Sequence, residues 1–271
     1  MSIWDERHAA PIVTSDSVDP IHVEGRQRHV IRPGATESFA LDCLIEPKSS
    51  DVLVVPLHGA LDRSKYTLPR FEWMGTLQQR TESLLFLCDT GLKAHEDLRI
   101  SWYTGSSTDD LTVRYATLIA AMAKKIGATK IVLLGFSGGG FAALSLATLL
   151  PEAVALAFSP QTSIGRYYPV FSQAYADALF KDCESFGAVE KKYGTRTNLL
   201  ERYASPETAA NFVYVQNTGD AHHMQNHYSP FRELTEGRMG ARFITANESS
   251  THSVPSKERV LEILDKSLAD L

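Results

Sequence analysis

Six short runs of apolar residues, separated by segments with helical spacing, are the feature that most constrains the fold of this 271-residue chain. Continuous runs rich in Val, Ile and Leu are typical of strands that are buried on both faces of a parallel sheet. Helical patterns follow at 111–127, after Ser137, and from 256 to the end. This alternation predicts an α/β fold, a mostly parallel twisted sheet with helices on both faces. The predicted strands are 51–57, 83–89, 131–136, 153–159, 212–217 and 241–246.

Two regions depart from this alternation, although nothing suggests that the chain 1–271 contains more than one domain. Residues 1–50 form a β-rich N-terminal part, with short strands expected at 21–25, 28–34 and 38–47. The connection 160–211 is several times longer than usual between such elements and carries two helical patterns of its own. We therefore expect it to be an inserted helical lid.

Composition and charge narrow the range of functions. A formal net charge of −5 gives no electrostatic reason to expect nucleic-acid binding. No run of about 18 apolar residues is present, so a membrane span is not expected, and the polar N-terminus is unlike a secretory signal. The three cysteines are widely spaced, which suggests neither a disulfide framework nor a CxxC metal site. These features predict a soluble cytoplasmic protein.

The segment KIVLLGFSGGGFAAL (130–144) places a serine among glycines, between a predicted strand and a predicted helix. Gly135 to Gly139 fit the pattern G-x-S-x-G, in which a sharp strand-to-helix turn exposes a nucleophilic serine, here Ser137. A dinucleotide-binding loop is an alternative, because the glycines also fit G-x-G-x-x-A. That loop requires an acidic residue at the end of the next strand, which here reads AFSPQT. An inert small-residue turn is the third interpretation. We favour the nucleophile.

A nucleophilic serine needs a general base and a carboxylate that orients it. In this architecture the acid and then the histidine follow later strands. Asp220 follows the fifth strand in TGDAHHM, and His252 follows the sixth, before the final helix. We therefore predict Ser137, Asp220 and His252 as the catalytic residues. Other acids are less well placed for this role, because Asp182 and Glu184 lie in the predicted lid and Glu248 is very close to His252.

The remaining candidate site residues follow other strand ends. Backbone N–H groups of Gly138, directly after the serine, and of Ala60, in the sequence HGA, are the expected oxyanion donors. His58, Trp102 and Tyr103 are candidate substrate-binding residues, with core packing as the alternative for Trp102 and Tyr103. The spacing of His223 and His227 could hold zinc, but a polar helix start or substrate contact is the favoured interpretation of these histidines and of neighbouring His222. We predict no metal.

In combination, HGA, GFSGG, Asp220 and His252 resemble the α/β-hydrolase superfamily over residues 51–271. This resemblance implies the α/β-hydrolase fold and a serine-hydrolase mechanism that needs no cofactor. Within the superfamily, GFSGGGFAAL followed by FSPQTSIGRYY is similar to bacterial hydrolase-like proteins associated with surface-polysaccharide genes. The β-rich N-terminal part departs from the pattern.

The functional hypothesis is a serine hydrolase that cleaves an ester or thioester through an acyl-enzyme on Ser137. The apolar side of the predicted lid is broken by Arg166, Lys181 and Asp182, which favours a small or polar ester, such as one on a carbohydrate, over triglyceride. Two alternatives stay open. One is acyl transfer to an alcohol by the same residues, and the other is a non-catalytic binding or assembly protein on a hydrolase scaffold.

Overall fold

The computed structural model of the protein describes residues 3–205, 207, 208 and 211–270. Its centre is a ten-stranded sheet with the strand order β1-β2-β3-β4-β6-β5-β7-β8-β9-β10. The strands are β1 (Ile3–Asp5), β2 (Ala10–Ser15), β3 (Gln27–Ile31), β4 (Leu41–Glu46), β5 (Val52–Leu57), β6 (Ser83–Leu87), β7 (Lys130–Phe136), β8 (Ala153–Phe158), β9 (Asn211–Asn217) and β10 (Ala241–Ala246).

Strands β5 to β10 form the parallel part of the sheet and confirm the six strands predicted from the apolar runs. Neighbouring strands in the order β6-β5-β7-β8-β9-β10 all pair in parallel. Every residue of β5, β6 and β8 is buried, as expected for strands covered on both faces. The carboxyl ends of these strands lie at one edge of the sheet, where ligand sites of open α/β sheets are usually found.

Strands β1 to β4 extend the same sheet beyond β6, through antiparallel pairing of β4 with β6. The expected strands at 28–34 and 38–47 are present as β3 and β4, but the strand expected at 21–25 is absent. There the chain turns instead, with the Ile21 N–H donating to the Val18 carbonyl and Gly25 at φ 70°. The prediction also missed β1 and β2, which pair antiparallel with each other, while β2 runs parallel to β3.

Helices cover both faces of the sheet, because alternate residues of each strand point to opposite sides. Leu53 and Val55 pack in a core beneath α2, α3 and the helices of the long connection, whereas Val52 and Val54 pack in a second core with α1 and α9. The helices are α1 (Met74–Leu77), α2 (Leu111–Ile126), α3 (Gly138–Ala147), α4 (Pro169–Leu179), α5 (Phe186–Thr197), α6 (Leu199–Arg202), α7 (Ala221–His223), α8 (Ser229–Thr235) and α9 (Lys257–Ala269), with a π-helical turn at Met224–Tyr228.

The long connection after β8 contains α4, α5 and α6. Tyr175 of α4 packs edge-on against Trp102, with ring centroids 5.3 Å apart, and shares a hydrogen bond with Thr104 Oγ1. These contacts join the connection to the loop that follows β6. Its action as a lid stays a prediction. Among the described helices, none combines the length and the apolarity that crossing a bilayer would require.

Candidate active site

Ser137 lies in a strained turn between β7 and α3. Its φ of 58° and ψ of −120° belong to a region that non-glycine residues adopt at a cost of about 1–3 kcal/mol. The flanking glycines allow the close approach that this turn needs. A Cβ atom on Gly135 would lie 2.1 Å from the Gly139 carbonyl oxygen, and one on Gly139 would lie 2.2 Å from the Leu57 carbonyl oxygen. The glycines of the motif are therefore a steric requirement.

Asp220 and His252 are brought together at the ends of β9 and β10. His252 Nδ1 lies 2.7 Å from Asp220 Oδ2. The His252 ring stacks on Phe136, the residue before the serine, with centroids 4.6 Å apart. Asp220 also caps α7 by accepting a hydrogen bond from the His223 N–H at 3.1 Å. The carboxylate is thus held at both oxygens, and the imidazole is held next to the serine turn.

Burial and charge set the ionisation of this pair. Burial lowers the pKa of His252 below its usual value although Asp220 opposes the shift, so the imidazole is neutral at pH 7. Burial alone would raise the pKa of Asp220, but His223 and His252 outweigh it and hold the carboxyl ionised. His252 Nε2 is buried, with no hydrogen-bond partner among the described residues. This nitrogen is therefore free to accept a proton.

A second histidine, His223, contacts the same carboxylate. Its Nδ1 lies 2.9 Å from Asp220 Oδ2, and its ring stacks on His252 with centroids 3.9 Å apart and an interplanar angle of 3°. Burial, together with the charge of His252, lowers the pKa of His223 to about 3, so this ring is also neutral at pH 7. The sequence analysis did not connect His223 with Asp220. The i, i+3 spacing at a helix start was the available signal.

Gln161, which follows β8, is the second residue that the sequence analysis missed. Its Nε2 donates to Ser137 Oγ and lies 2.9 Å from His223 Nε2, at hydrogen-bond distance. The Trp102 indole N–H donates to Gln161 Oε1 at 3.2 Å, which fixes the amide with its NH₂ group toward the serine. Gln161 is fully buried. Only its position after a parallel strand could have suggested it.

The proposed oxyanion donors are the backbone N–H groups of Gly138, directly after Ser137, and of Ala60, in the HGA loop. Gly138 is the first residue of α3, where a backbone N–H has no partner within the helix. The HGA loop approaches from β5, because a Cβ on Gly59 would lie 3.6 Å from the Gly138 nitrogen. His58 holds this loop, with Nδ1 at 2.9 Å from the Gly59 carbonyl and Nε2 accepting the Asp89 N–H at 3.0 Å. Ala60 is exposed to the adjoining cavity.

A cavity of about 290 Å³ opens at Ser137. His58, Trp102 and Tyr103 were expected to contact substrate, but they are not among its lining residues, and each is at most 2% exposed. Their partners lie in the interior, since Trp102 holds Gln161 and the Tyr103 hydroxyl accepts the His58 N–H. These three residues therefore hold other residues of the site in place and do not line the cavity. The lining residues are Leu57, Gly59, Ala60, Leu61, Tyr66, Arg70, Glu72, Trp73, Phe136, Ser137, Tyr167, His252 and Val254.

Three possible metal ligands lie together at Asp220. Asp220, His223 and His252 each offer a ligand atom, all within 4.8 Å of one another. An imidazole lone pair lies in the plane of its ring, and the two rings here are parallel and stacked. One ion cannot lie in both planes. His223 and His227, the pair considered in the sequence, already use Nε2 and Nδ1 on Gln161 and the Thr162 N–H. These residues do not fit a metal.

Comparison with known proteins places this geometry in a recognised fold. No protein-family model matches the sequence, and no curated protein matches it either. Among solved structures, the capsule O-acetyltransferase of Neisseria meningitidis serogroup A is similar, with a TM-score of 0.65 and 14% identity, over 85% of this chain and 94% of that chain. The S-formylglutathione hydrolase of Agrobacterium tumefaciens has a TM-score of 0.59 and 13% identity, over 92% and 95%.

A third similar structure is a fluorophosphonate-binding serine hydrolase of Staphylococcus aureus, with a TM-score of 0.56 and 10% identity, over 91% of this chain and 98% of that chain. At such low sequence identities, the structural similarity shows the fold alone. The protein has the α/β-hydrolase fold, which confirms the fold that the sequence motifs implied.

Proposed function

We propose that this protein is a serine hydrolase or acyltransferase that forms an acyl-enzyme on Ser137. The observation that carries this proposal is the strained Ser137 at the strand-to-helix turn, in one cavity with a His252 that is bonded to Asp220. Two features support it further: neutral His252 has an unpaired nitrogen, and Gln161 donates to the serine oxygen, leaving the serine's own proton for another acceptor.

The proposed reaction has two halves. His252 Nε2 takes the Ser137 proton while Oγ bonds to the carbonyl carbon, and the N–H groups of Gly138 and Ala60 stabilise the oxyanion. Collapse breaks the bond to the leaving alcohol or thiol, which takes the proton from His252. Water, activated by the same imidazole, then adds to the acyl-enzyme, and the acid and free Ser137 are released. Asp220 stabilises the transient imidazolium.

The cavity supports a short acyl group on a polar substrate. Its volume of about 290 Å³ is small, and its wall combines the aromatic rings of Tyr66, Trp73 and Tyr167 with the charged pair Arg70 and Glu72. Such a wall suits the flat faces and hydroxyls of a carbohydrate better than a long alkyl chain. The similar structures include proteins named for an acetyl group on a capsule and a formyl group on glutathione.

Transfer to an alcohol is the second candidate function. It is favoured by the similarity to a capsule O-acetyltransferase. Incubation with a short acyl ester, with and without a sugar acceptor, followed by mass spectrometry of the products, separates hydrolysis from transfer.

Labelling with a fluorophosphonate tests the nucleophile. We expect one adduct, located on Ser137 by peptide mass spectrometry and abolished in Ser137→Ala. Ser159→Ala is a matched control, because Ser159 is also buried, also follows a parallel strand and also has a positive φ, of 37°. That variant should label as the wild type does. Folded protein that takes no label, or takes it elsewhere, would contradict the proposal.

Acyl-chain selectivity tests the substrate class. In a series of nitrophenyl esters from acetate to palmitate, kcat/KM should be highest for the shortest chains, because the cavity at Ser137 is small, about 290 Å³. Activity that rises steadily with chain length, with activation at a lipid surface, would contradict the assignment of a small substrate.

A further inference from the structure

A second cavity, of about 440 Å³, adjoins the catalytic one. The two cavities share Arg70, Glu72, Trp73 and Val254 as lining residues. A substrate whose acyl group occupies the first cavity could therefore extend its other end into the second. The remaining lining residues of the second cavity are Arg7, His8, Phe71, Met74, Gly75, Thr76, Pro255 and Lys257.

The charge of this second cavity is positive in a chain whose formal net charge is −5. Arg70 is neutralised by Glu72, to which it donates two hydrogen bonds. Burial lowers the pKa of His8, and Asp5 only partly offsets it, so His8 is neutral at pH 7. Arg7 and Lys257 remain, and neither forms an ion pair within the described part of the chain. The cavity thus carries about two uncompensated positive charges.

Neither of these two cations is hydrogen-bonded to a carboxylate among the described residues. Both side chains are exposed. Arg7 Nη1 is held on the Thr67 carbonyl and hydroxyl oxygens, at 3.1 and 3.0 Å, which positions the guanidinium without neutralising it. Arg28 differs, because it is largely buried and bonded to both Asp5 and Asp42. Positive charge that converges on a cleft, without a carboxylate of its own, attracts anions.

We propose that the second cavity binds an anionic group, a phosphate or a carboxylate, carried by the alcohol or thiol part of the substrate. This inference rests on the proposed function, whose acyl group occupies the first cavity. The enzyme then selects short acyl esters or thioesters of anionic alcohols or thiols. Arg7 and Lys257 are its specificity-determining residues.

Matched substrates that differ by one charged group test this selectivity. S-Acetyl-4′-phosphopantetheine against S-acetylpantetheine isolates a phosphate, and O-acetylglucuronic acid against O-acetylglucose isolates a carboxylate. We expect at least about a tenfold higher kcat/KM for the charged member of one pair at low salt, declining as salt is added. The pair that shows this preference identifies the anion.

The double variant Arg7→Gln, Lys257→Gln should lose this preference, measured as the ratio of kcat/KM for the charged and the neutral member of each pair. Lys191→Gln is the matched control, since Lys191 is an exposed lysine on α5 that lines neither cavity. Equal kcat/KM for the charged and neutral members of both pairs would overturn the inference. So would a double variant that keeps the full preference.

Calorimetric titration measures binding directly and therefore tests the inference without enzymatic turnover. The ligands are 4′-phosphopantetheine, pantetheine, glucuronic acid and glucose. We expect the charged member of one pair to bind at least about tenfold more tightly to the wild type, and equally tightly with its neutral partner to the double variant. Equal binding of charged and neutral ligands, in a protein that takes the fluorophosphonate label, overturns the anion site alone. Absence of the label overturns the proposed function instead.

Discussion

Two histidines that are stacked on each other beside Asp220 show how similar distances to one carboxylate can accompany different roles. His252 comes from the loop after β10 and His223 from α7, after β9. Their Nδ1 atoms lie 2.7 and 2.9 Å from the same carboxylate oxygen, and their rings are stacked. Yet His252 lines the catalytic cavity, whereas His223 is fully buried.

The difference lies in the second nitrogen of each ring. His223 Nε2 is at hydrogen-bond distance from the Gln161 amide, which also donates to Ser137. His252 Nε2 has no partner in the described part of the chain. A base needs a lone pair that is free to take a proton, so contact with the carboxylate does not by itself identify it. By this criterion we propose His252 as the base and His223 as a positioning residue that holds Gln161.

The largest expected effect separates the two histidines directly. His252→Ala should lower kcat by about four orders of magnitude or more, because the residual rate then comes from oxyanion binding alone. His223→Ala should lower kcat by no more than about tenfold to a hundredfold. Steady-state kinetics on nitrophenyl acetate measures both. Thermal unfolding of each variant, followed by circular dichroism, serves as the control for folding. The reverse order of the two effects would make His223 the base.

Asp220→Asn should have the next largest effect, a loss of about 10³ to 10⁴ in kcat, because the amide no longer selects the required tautomer of His252. Glu248→Gln is the matched control. Glu248 is a carboxylate after the same strand as His252, but it is paired with Arg259 at 2.9 Å. It should retain nearly full activity. Near-normal turnover by the Asn variant, together with a large loss in the Gln variant, would move the acid to Glu248.

The parallel sheet could be predicted from the sequence because its strands are short, continuous apolar runs that alternate with helical patterns. Ser137 could be predicted because a glycine-rich strand-to-helix turn has a steric requirement that is visible in the residue types. The N-terminal strands were harder. The segment 21–25 has strand-forming residues but no neighbour to pair with, whereas the mixed-polarity segment 10–15 becomes β2 by pairing on both sides. Pairing partners far away in the sequence decide such cases.

At the candidate site, the strand ends indicated which residues lie nearby but not the direction in which their side chains point. Trp102 and Tyr103 follow β6, as a pocket residue would, yet both have positive φ and turn inward. Gln161 and His223 gain their roles from contacts across 24 and 62 positions of the chain. Local sequence contains no record of these contacts. The sequence therefore predicted Ser137, Asp220 and His252 as a set but not the residues that hold them.

Gln161→Met tests the link between His223 and Ser137. It should have a smaller effect than either His252→Ala or Asp220→Asn. Methionine keeps the side-chain length but removes the donor to Ser137 Oγ and the acceptor for Trp102. We expect kcat to fall about tenfold to a hundredfold with KM little changed, as for a residue that positions the nucleophile. Gln161→Glu restores the acceptor alone and should not recover the rate. An unchanged kcat in the methionine variant would show that this contact has no part in the reaction.

The smallest effect concerns stability: the burial of His227 should make the free energy of unfolding depend on pH. Burial lowers the pKa of His227 to about 2, so below pH 6.5 the unfolded chain binds a proton that the folded chain refuses. The free energy of unfolding must then fall as pH falls from 6.5 toward 3, by about 1.4 kcal/mol per pH unit for each such histidine.

His227→Gln should reduce this slope by about that amount, because glutamine does not titrate. Urea unfolding at pH 7, 6, 5 and 4.5 measures the slopes, and identical slopes for the wild type and the His227 variant would show that His227 takes up its proton in the folded protein.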